Sequence, residues 1–379
     1  MIRVLLLIFT LAVLGVFLVR FQPAEPGGGF AVLETETLPL SSKPYYRERF
    51  ASSGLTRRVH SVTVVELSGG RLRAFWYGGS REGAKDVVIY SSVFNSDDGL
   101  WSRETSIVTR ETTQAALLRY IRKIGNPVAW RDGSGRLWLF FVSVSIGGWS
   151  GSSVNVIFSE DEGHTWSHPK RLVTSPFLNV STLVKGPVIS FANGTIGLPV
   201  YHEFLGKFGE LLILDSEASV TGKKRLSWGR SSLQPVIVPY TRLAAVGLMR
   251  YSGPSPRRIL SFRTADGGIH WSAPQKTNLP NPNAAVAATR TARGDLLLVF
   301  NNSETNRENL SLAISRDVGE TWQRIYTFET PTGESEGKAR FAYPWLLQTE
   351  DGNYHLLYTW NRRRIKHVQF NDTWIEQLK

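Results

Sequence analysis

The octapeptides SEDEGHTW (Ser159–Trp166) and SRDVGETW (Ser315–Trp322) set two hydroxyls, a carboxylate and an indole in the same order twice. Hydroxyls beside a carboxylate can move protons. The same groups at this spacing also bond the backbone amides of a tight turn, while the glycine supplies a positive φ. Every residue of the pattern has a structural use, so the motif reads as a turn device. Reactive groups must be sought elsewhere. The chain has no cysteine, which excludes disulfides, thiolate metal sites and a cysteine nucleophile. His60 and His202 are not at metal-ligand spacing on one strand, and neither a glycine-rich phosphate loop nor a Gly-x-Ser-x-Gly elbow occurs. No metal and no cofactor are expected.

Positive charge is in excess: 44 Lys and Arg against 32 Asp and Glu, a net +12. Such a balance favours acidic partners, whether nucleic acid, an anionic membrane surface or carboxylated and sulfated sugars. Without a long basic run or a recognisable nucleic-acid module, nucleic acid is not expected as a partner.

The elements that must position any site recur along the chain. A polar turn followed by an apolar run appears as LSGGRLRAFWY, RDGSGRLWLFF, FANGTIGLPVY, TARGDLLLVFN and EDGNYHLLYTW, with VPYTRLAAVGLMR as a weaker copy. A tryptophan follows each: Trp101, Trp166, Trp228, Trp271, Trp322 and Trp374, spaced 43 to 65 residues apart. Units of that size with several short strands and a closing aromatic predict an all-β, six-bladed β-propeller. A double β-sandwich would not require the six-fold count. The octapeptides then lie between strands late in a blade, with NSDDGLW (Asn95–Trp101) and TADGGIHW (Thr264–Trp271) as degenerate copies. Thr112–Gly125 has the composition of a helical turn or two in a loop.

These octapeptides resemble the Asp-box, or BNR repeat, of the sialidase (neuraminidase) superfamily. The stretches WYGGSREGAKDVVIYSS, GNPVAWRDG, LPNPNAAV, FAYPWLLQ and YTWNRRRIKHV resemble a bacterial group of predicted neuraminidases. The likeness runs from about Pro44 to the C-terminus. It implies three arginines gripping the carboxylate of a sialic acid, because a guanidinium fork meets a carboxylate bidentately. Carried onto this chain, they are Arg58 (with Val59-His60 where the family has Ile-Pro), Arg250 and Arg307. The implied acid/base is Asp86, five residues beyond Arg81, with Glu82 as a competitor. The implied nucleophile is Tyr343, since a neutral phenol is not repelled by the carboxylate on the anomeric carbon. The family's glutamate partner of that tyrosine is replaced by Gln234, which cannot take a proton; Glu203 and Glu336 are the candidates to substitute. His60, Asn126 and Asn283 complete the expected substrate contacts, with Lys185, His202, Asn301 and Arg364 as further lining residues. The implied activity is exo-glycosidase release of a terminal sialic acid or related acidic sugar. Two alternatives remain open: a polysaccharide lyase acting on uronates through a His/Tyr pair, and a non-catalytic propeller that binds acidic glycans.

Ahead of the propeller, Val4–Val19 carries no charge and lies between Arg3 and Arg20. As a helix it spans about 24 Å, short of a bilayer core unless the arginines snorkel. No small-x-small cleavage site follows. The expected organisation is therefore a membrane anchor (1–20), a flexible linker with QPAEPGGG (21–43), and a propeller (44–379) in the periplasm or exterior. A cleaved, secreted form is the second choice.

Overall fold

The computed structural model describes residues 2–20, 25–32, 41, 43–175, 179–331 and 339–378; Glu336 lies outside them. Six antiparallel sheets are arranged as the expected propeller. From the innermost strand outward, blade I contains Arg58–Glu66, Leu72–Gly79, Val88–Asn95 and Thr105–Val108. Blade II contains Lys123–Arg131, Leu137–Val144, Ser152–Ser159 and Lys170–Arg171. Blade III has a broken inner strand, Leu183–Val184 and Ile189–Ser190, then Ile196–His202, Phe208–Leu214 and Val220–Arg225. Blade IV contains Ser232–Pro239, Ala245–Tyr251, Arg258–Thr264 and Gln275–Pro280. Blade V contains Ala287–Arg290, Leu296–Phe300, Leu310–Ser315 and Gln323–Glu329. Blade VI contains Phe341–Gln348, Tyr354–Trp360 and Arg364–Phe370, and its outermost strand is the N-terminal Tyr46–Phe50. That strand pairs from Tyr46↔Phe370 to Phe50↔Lys366, which closes the ring and covers the free edge of blade VI.

Each of the six apolar runs following a polar turn is the second strand of its blade. These strands read as continuous apolar runs, not alternating ones, because both faces of a blade pack on neighbours. Leu137–Val144, LWLFFVSV, is buried at every position.

The tryptophan marker is five-fold rather than six-fold. Trp101, Trp166, Trp271, Trp322 and Trp374 all follow the third strand of a blade. Trp228 follows the fourth strand of blade III and is 82% exposed. In blade III the third and fourth strands are joined by a short turn on Asp215, whose carboxylate accepts from the amides of Glu217 and Ser219. That turn has no room for an octapeptide.

Two further expectations are corrected. The loop helix is Arg110–Leu117, starting earlier than Thr112 because Thr109 and Thr112 form a reciprocal cap, and ending at Leu118 in the left-handed region. Residues 28–32 of the linker are not a free tether: Phe30 is buried and stacks on Phe191 at 5.4 Å, and its amide donates to the Arg242 carbonyl. Ile2–Arg20 is helical, with Val4–Phe9 each more than half exposed. Among the described residues no helix is long and apolar enough to cross a membrane.

Candidate functional site

A six-fold feature underlies the mouth of the propeller. Ser61, Asn126, Ser181, Gln234, Asn283 and Tyr343 each have φ between 45° and 63°, one in or just before the innermost strand of every blade. In four blades the register shifts there: between His60 and Thr63, Gly125 and Val128, Leu233 and Val236, and Ala342 and Trp345. A left-handed non-glycine residue costs roughly 1–2 kcal/mol, so the chain concentrates strain at this ring. The bulges lift these residues out of their ladders and turn them toward the channel.

Four of the six were singled out from the sequence, and the structure joins them into one network. Gln234 Nε2 donates to the Tyr343 hydroxyl at 2.9 Å, while Gln234 Oε1 accepts from Arg250 at 3.1 Å. Arg250 Nε donates to Asn283 Oδ1 at 2.6 Å, and Arg307 donates to the Asn283 carbonyl. Arg250 therefore fixes which way the amide faces: guanidinium can only donate, so Gln234 must present its NH₂ to the phenol. Tyr201 Oη lies 3.4 Å from the same amide nitrogen and accepts from Asn126 at 3.3 Å. His60 packs on Tyr343 with ring centroids 4.2 Å apart, its Nδ1 3.1 Å from the Thr359 hydroxyl.

Beside this network opens a cleft of about 210 Å³, lined by Arg58, His60, Tyr77, Arg81, Glu82 and Arg362. Arg362 is a functional candidate that sequence reasoning missed. It occupies the turn between the second and third strands of blade VI, where Asn361 and Arg362 are both left-handed and Arg363 N closes on the Trp360 carbonyl. This is the hairpin type that favours asparagine first. Its carbonyl also accepts from Val59 of blade I, which holds the turn against the cleft. The neighbouring Arg364 instead donates to the Ser52 carbonyl and covers Phe50.

Electrostatics follow from this crowding of cations. Burial, then the charges of Arg362, Arg307, Arg250 and Lys185, pushes His60 down to about 3, so it is a neutral imidazole at physiological pH. Burial and Arg250 lower Arg307 to about 10, which leaves it protonated. Burial raises the phenols of Tyr77 and Tyr201 well above the ordinary range, with Glu82 adding to the first and Tyr343 and Glu203 to the second.

Three expectations change. Asp86 does not line the cleft. Its carboxylate is exposed and taken by the Ser80 amide (2.8 Å) and hydroxyl (2.9 Å), which hold it below the ordinary carboxylate range, opposite to what a proton donor needs. Glu82 lines the cleft instead. Glu203 stands beside Tyr201, but the phenol of Tyr343 is met by Gln234, not by that carboxylate. His202 pairs with Glu210 at 3.1 Å and stacks on Phe208, while Asn301 is buried and donates to the carbonyls of Asn309 and Phe341, buttressing the Tyr343 strand. Among the described residues no group of three or more His, Asp or Glu is arranged to hold a metal ion.

A family model described as a BNR repeat-like domain matches residues 70–356. No curated protein matches the sequence at a significant level. In structure the chain is similar to the Hadza microbial sialidase Hz136, at 16% identity over 83% of this chain and 66% of that one, with a TM-score of 0.66. It is similar to a protein of unknown function from Dyadobacter fermentans, at 14% identity over 86% and 99% of the two chains and a TM-score of 0.69. It is also similar to an α-L-arabinanase of Penicillium chrysogenum complexed with arabinobiose, at 15% identity over 88% and 99% and a TM-score of 0.62. Identities this low speak for the fold alone. The chain spans about two-thirds of the length of the sialidase it matches. With most of its length covered by the family model and its six blades in place, the chain belongs to the BNR repeat-like family of sialidase-type propellers.

Proposed function

We propose that the protein is a glycosidase acting on a terminal acidic sugar, of which sialic acid is the first to test. The observation that carries this reading is that Arg250, Arg307 and Arg362 gather beside Tyr343, whose hydroxyl is met by the Gln234 amide and, among the described residues, by no carboxylate. Guanidinium groups meet a sugar carboxylate with matched charge and geometry, and a tyrosine nucleophile suits an anomeric carbon that bears one. In this reading the Tyr343 oxygen attacks the anomeric carbon while the bond to the leaving oxygen breaks. Glu82, on the cleft wall, gives that oxygen its proton. Water then enters with Glu82 as base, releasing the sugar and the tyrosine. Gln234 cannot take the phenol's proton and no carboxylate among the described residues is bonded to receive it, so in this reading it departs to solvent. The amide N–H and the surrounding cations then stabilise the phenolate. The test is release of a fluorogenic aglycone from a sialoside, compared with Arg307→Ala; equal rates for the two would rule the reading out.

A second reading is favoured by one contact, the neutral His60 packed on Tyr343. A His/Tyr pair beside an arginine-bound carboxylate could instead remove the α-proton of a uronate and eject the 4-linked oxygen. An unsaturated product absorbing near 235 nm would identify this lyase chemistry. Binding of acidic glycans without either product would leave a recognition module.

For placement, the apolar segment Val4–Val19 supports an N-terminal membrane attachment with the propeller outside. Residues 28–32 dock on the turns at Phe191 and Arg242, which lie at the end opposite the mouth. An attachment there would present the cleft away from the bilayer. Loss of membrane sedimentation on removing residues 1–20 checks it.

A further inference from the structure

We propose that Lys185 is a positioning residue for Tyr343, reaching from blade III across the central channel to hold the blade VI bulge on which the phenol stands. The inference rests on the reading above only in giving Tyr343 a reactive role.

The bulge creates the need. Pairing along the inner strand of blade VI stops at Ala342↔Thr359 and resumes at Trp345↔Leu357, leaving Tyr343 and Pro344 outside the ladder. The carbonyl of Pro344 is then an acceptor in the protein interior with no strand partner, and such groups are nearly always satisfied. Lys185 Nζ donates to it at 2.8 Å and lies 5.2 Å from the Trp345 ring. Blades III and VI face each other across a six-bladed ring, so only a long side chain can make this bond.

The other end of the segment is fixed just as closely. The inner strand of blade III breaks after Val184, and the next residue but one is Gly186. A Cβ on Gly186 would fall 2.0 Å from the Pro235 carbonyl oxygen, so only glycine lets the backbone lie against the Gln234–Pro235 bulge. Lys185–Gly186 thus touches both bulges that carry the 2.9 Å contact between Gln234 and Tyr343: one through backbone packing, one through the ammonium. Packing alone would be met more cheaply by methionine or leucine, because burying an amine is costly. Lys185 is 2% exposed, and burial pushes it down to about 7. Its charge is nevertheless felt at His60.

The experiment uses the full chain with ¹³Cζ-labelled tyrosine, the Tyr343 signal being assigned by its loss in Tyr343→Phe. Lys185→Met should move the Tyr343 resonance while tyrosines remote from the channel stay in place. On a sialoside it should lower kcat by about tenfold or more and change KM by less than about twofold, because the arginines are untouched. Lys185→Arg, which keeps a donor, should recover part of both effects, and it supplies the answer if Lys185→Met does not fold. A Tyr343 resonance unmoved in Lys185→Met, or moved equally by Lys185→Arg, overturns the proposal. A wild-type chain without turnover whose Tyr343 resonance still follows Lys185 overturns the hydrolytic reading and leaves the positioning role standing.

Discussion

Every blade is polar at both ends, and the two ends treat their polar groups in opposite ways. At the octapeptide end the carboxylates are spent on groups of their own turn. Asp317 accepts from Thr321 through its amide (2.9 Å) and hydroxyl and from the Ser315 hydroxyl at 2.7 Å, while the Gly319 amide donates to Ser315 at 2.6 Å. Asp161 is saturated in the same way by Ser159 and Thr165. At the mouth, bulges expose groups that the fold leaves in want of a partner. The Ser61 hydroxyl is buried without one among the described residues, Arg58, Arg81, Glu82 and Arg362 line open space, and Arg307 lies in the field of Arg250, Arg362 and the Tyr343 phenol. A satisfied carboxylate builds a turn; a cluster rich in guanidinium groups fits the acidic ligand proposed above. The octapeptide that identifies the fold is therefore remote from the chemistry.

The sharpest break in this contrast is Tyr343→Phe. It removes one hydroxyl, costs the Gln234 amide one hydrogen bond, and should leave the fold within about 1–2 kcal/mol of wild type. Turnover should fall by about 10³-fold or more. Guanidinium deletions come next. Arg307→Ala or Arg362→Ala should each lower kcat/KM by about 10²-fold, whereas Arg364→Ala, two residues from Arg362 but turned onto Phe50, should leave it nearly unchanged. Steady-state kinetics on one sialoside measures all four variants, and equal losses at Arg362 and Arg364 would dissolve the distinction drawn between them.

Stability against pH separates the two ends by window. The folded state holds His60 at about 3 against an ordinary value near 6.5. Its contribution is present above about 6.5 and is lost as pH falls toward 3, by on the order of 4 kcal/mol. His60→Asn should flatten that limb in denaturant titrations. The stacked pair His355 and His367, also driven down by burial, should keep the remainder of it. Asp317, held at about 2 by Thr321, contributes stability above about 4 that is lost as pH falls through 2. Asp317→Ala should cost about 1 kcal/mol at neutral pH, small because the carboxylate is exposed, and should not change turnover.

What could be read from the sequence divides along the same line. Turn glycines and apolar runs located the second strand of every blade, since a strand packed on both faces must be apolar throughout. Trp228 was misplaced because a tryptophan at the right spacing does not disclose which strand it follows. The dipeptides Asn126-Pro127, Gln234-Pro235 and Tyr343-Pro344 carried a signal of the mouth, because proline at a bulge removes a donor the ladder cannot use. Ser61 and Ser181 lack that proline and escaped notice. Arg362 sits in a run of three arginines, and only the geometry of the hairpin turn decides which one faces the cleft. The sequence does not tell which carboxylate faces the cleft for a related reason: Glu82 and Asp86 share one loop, and the hydrogen bonds of Ser80 hold Asp86 away from it.

That selection yields the smallest expected effect and the most discriminating one. Asp86→Asn keeps the shape of the side chain: its oxygen can still accept from the Ser80 amide while its NH₂ donates to the Ser80 hydroxyl, and it removes a charge that already faces solvent. Stability should shift by less than about 0.5 kcal/mol, and turnover should stay within about twofold at every pH. A group that donates protons to the leaving oxygen cannot be so dispensable: general acid catalysis contributes about 10²–10⁴-fold. Glu82→Gln should show a loss of that size. If instead Asp86→Asn is the crippled variant, the loop must turn inside out when substrate binds, breaking both Ser80 bonds and carrying Asp86 into the cleft. Ser80→Ala would then raise turnover, whereas it should have no effect if Glu82 already stands where the proton is needed.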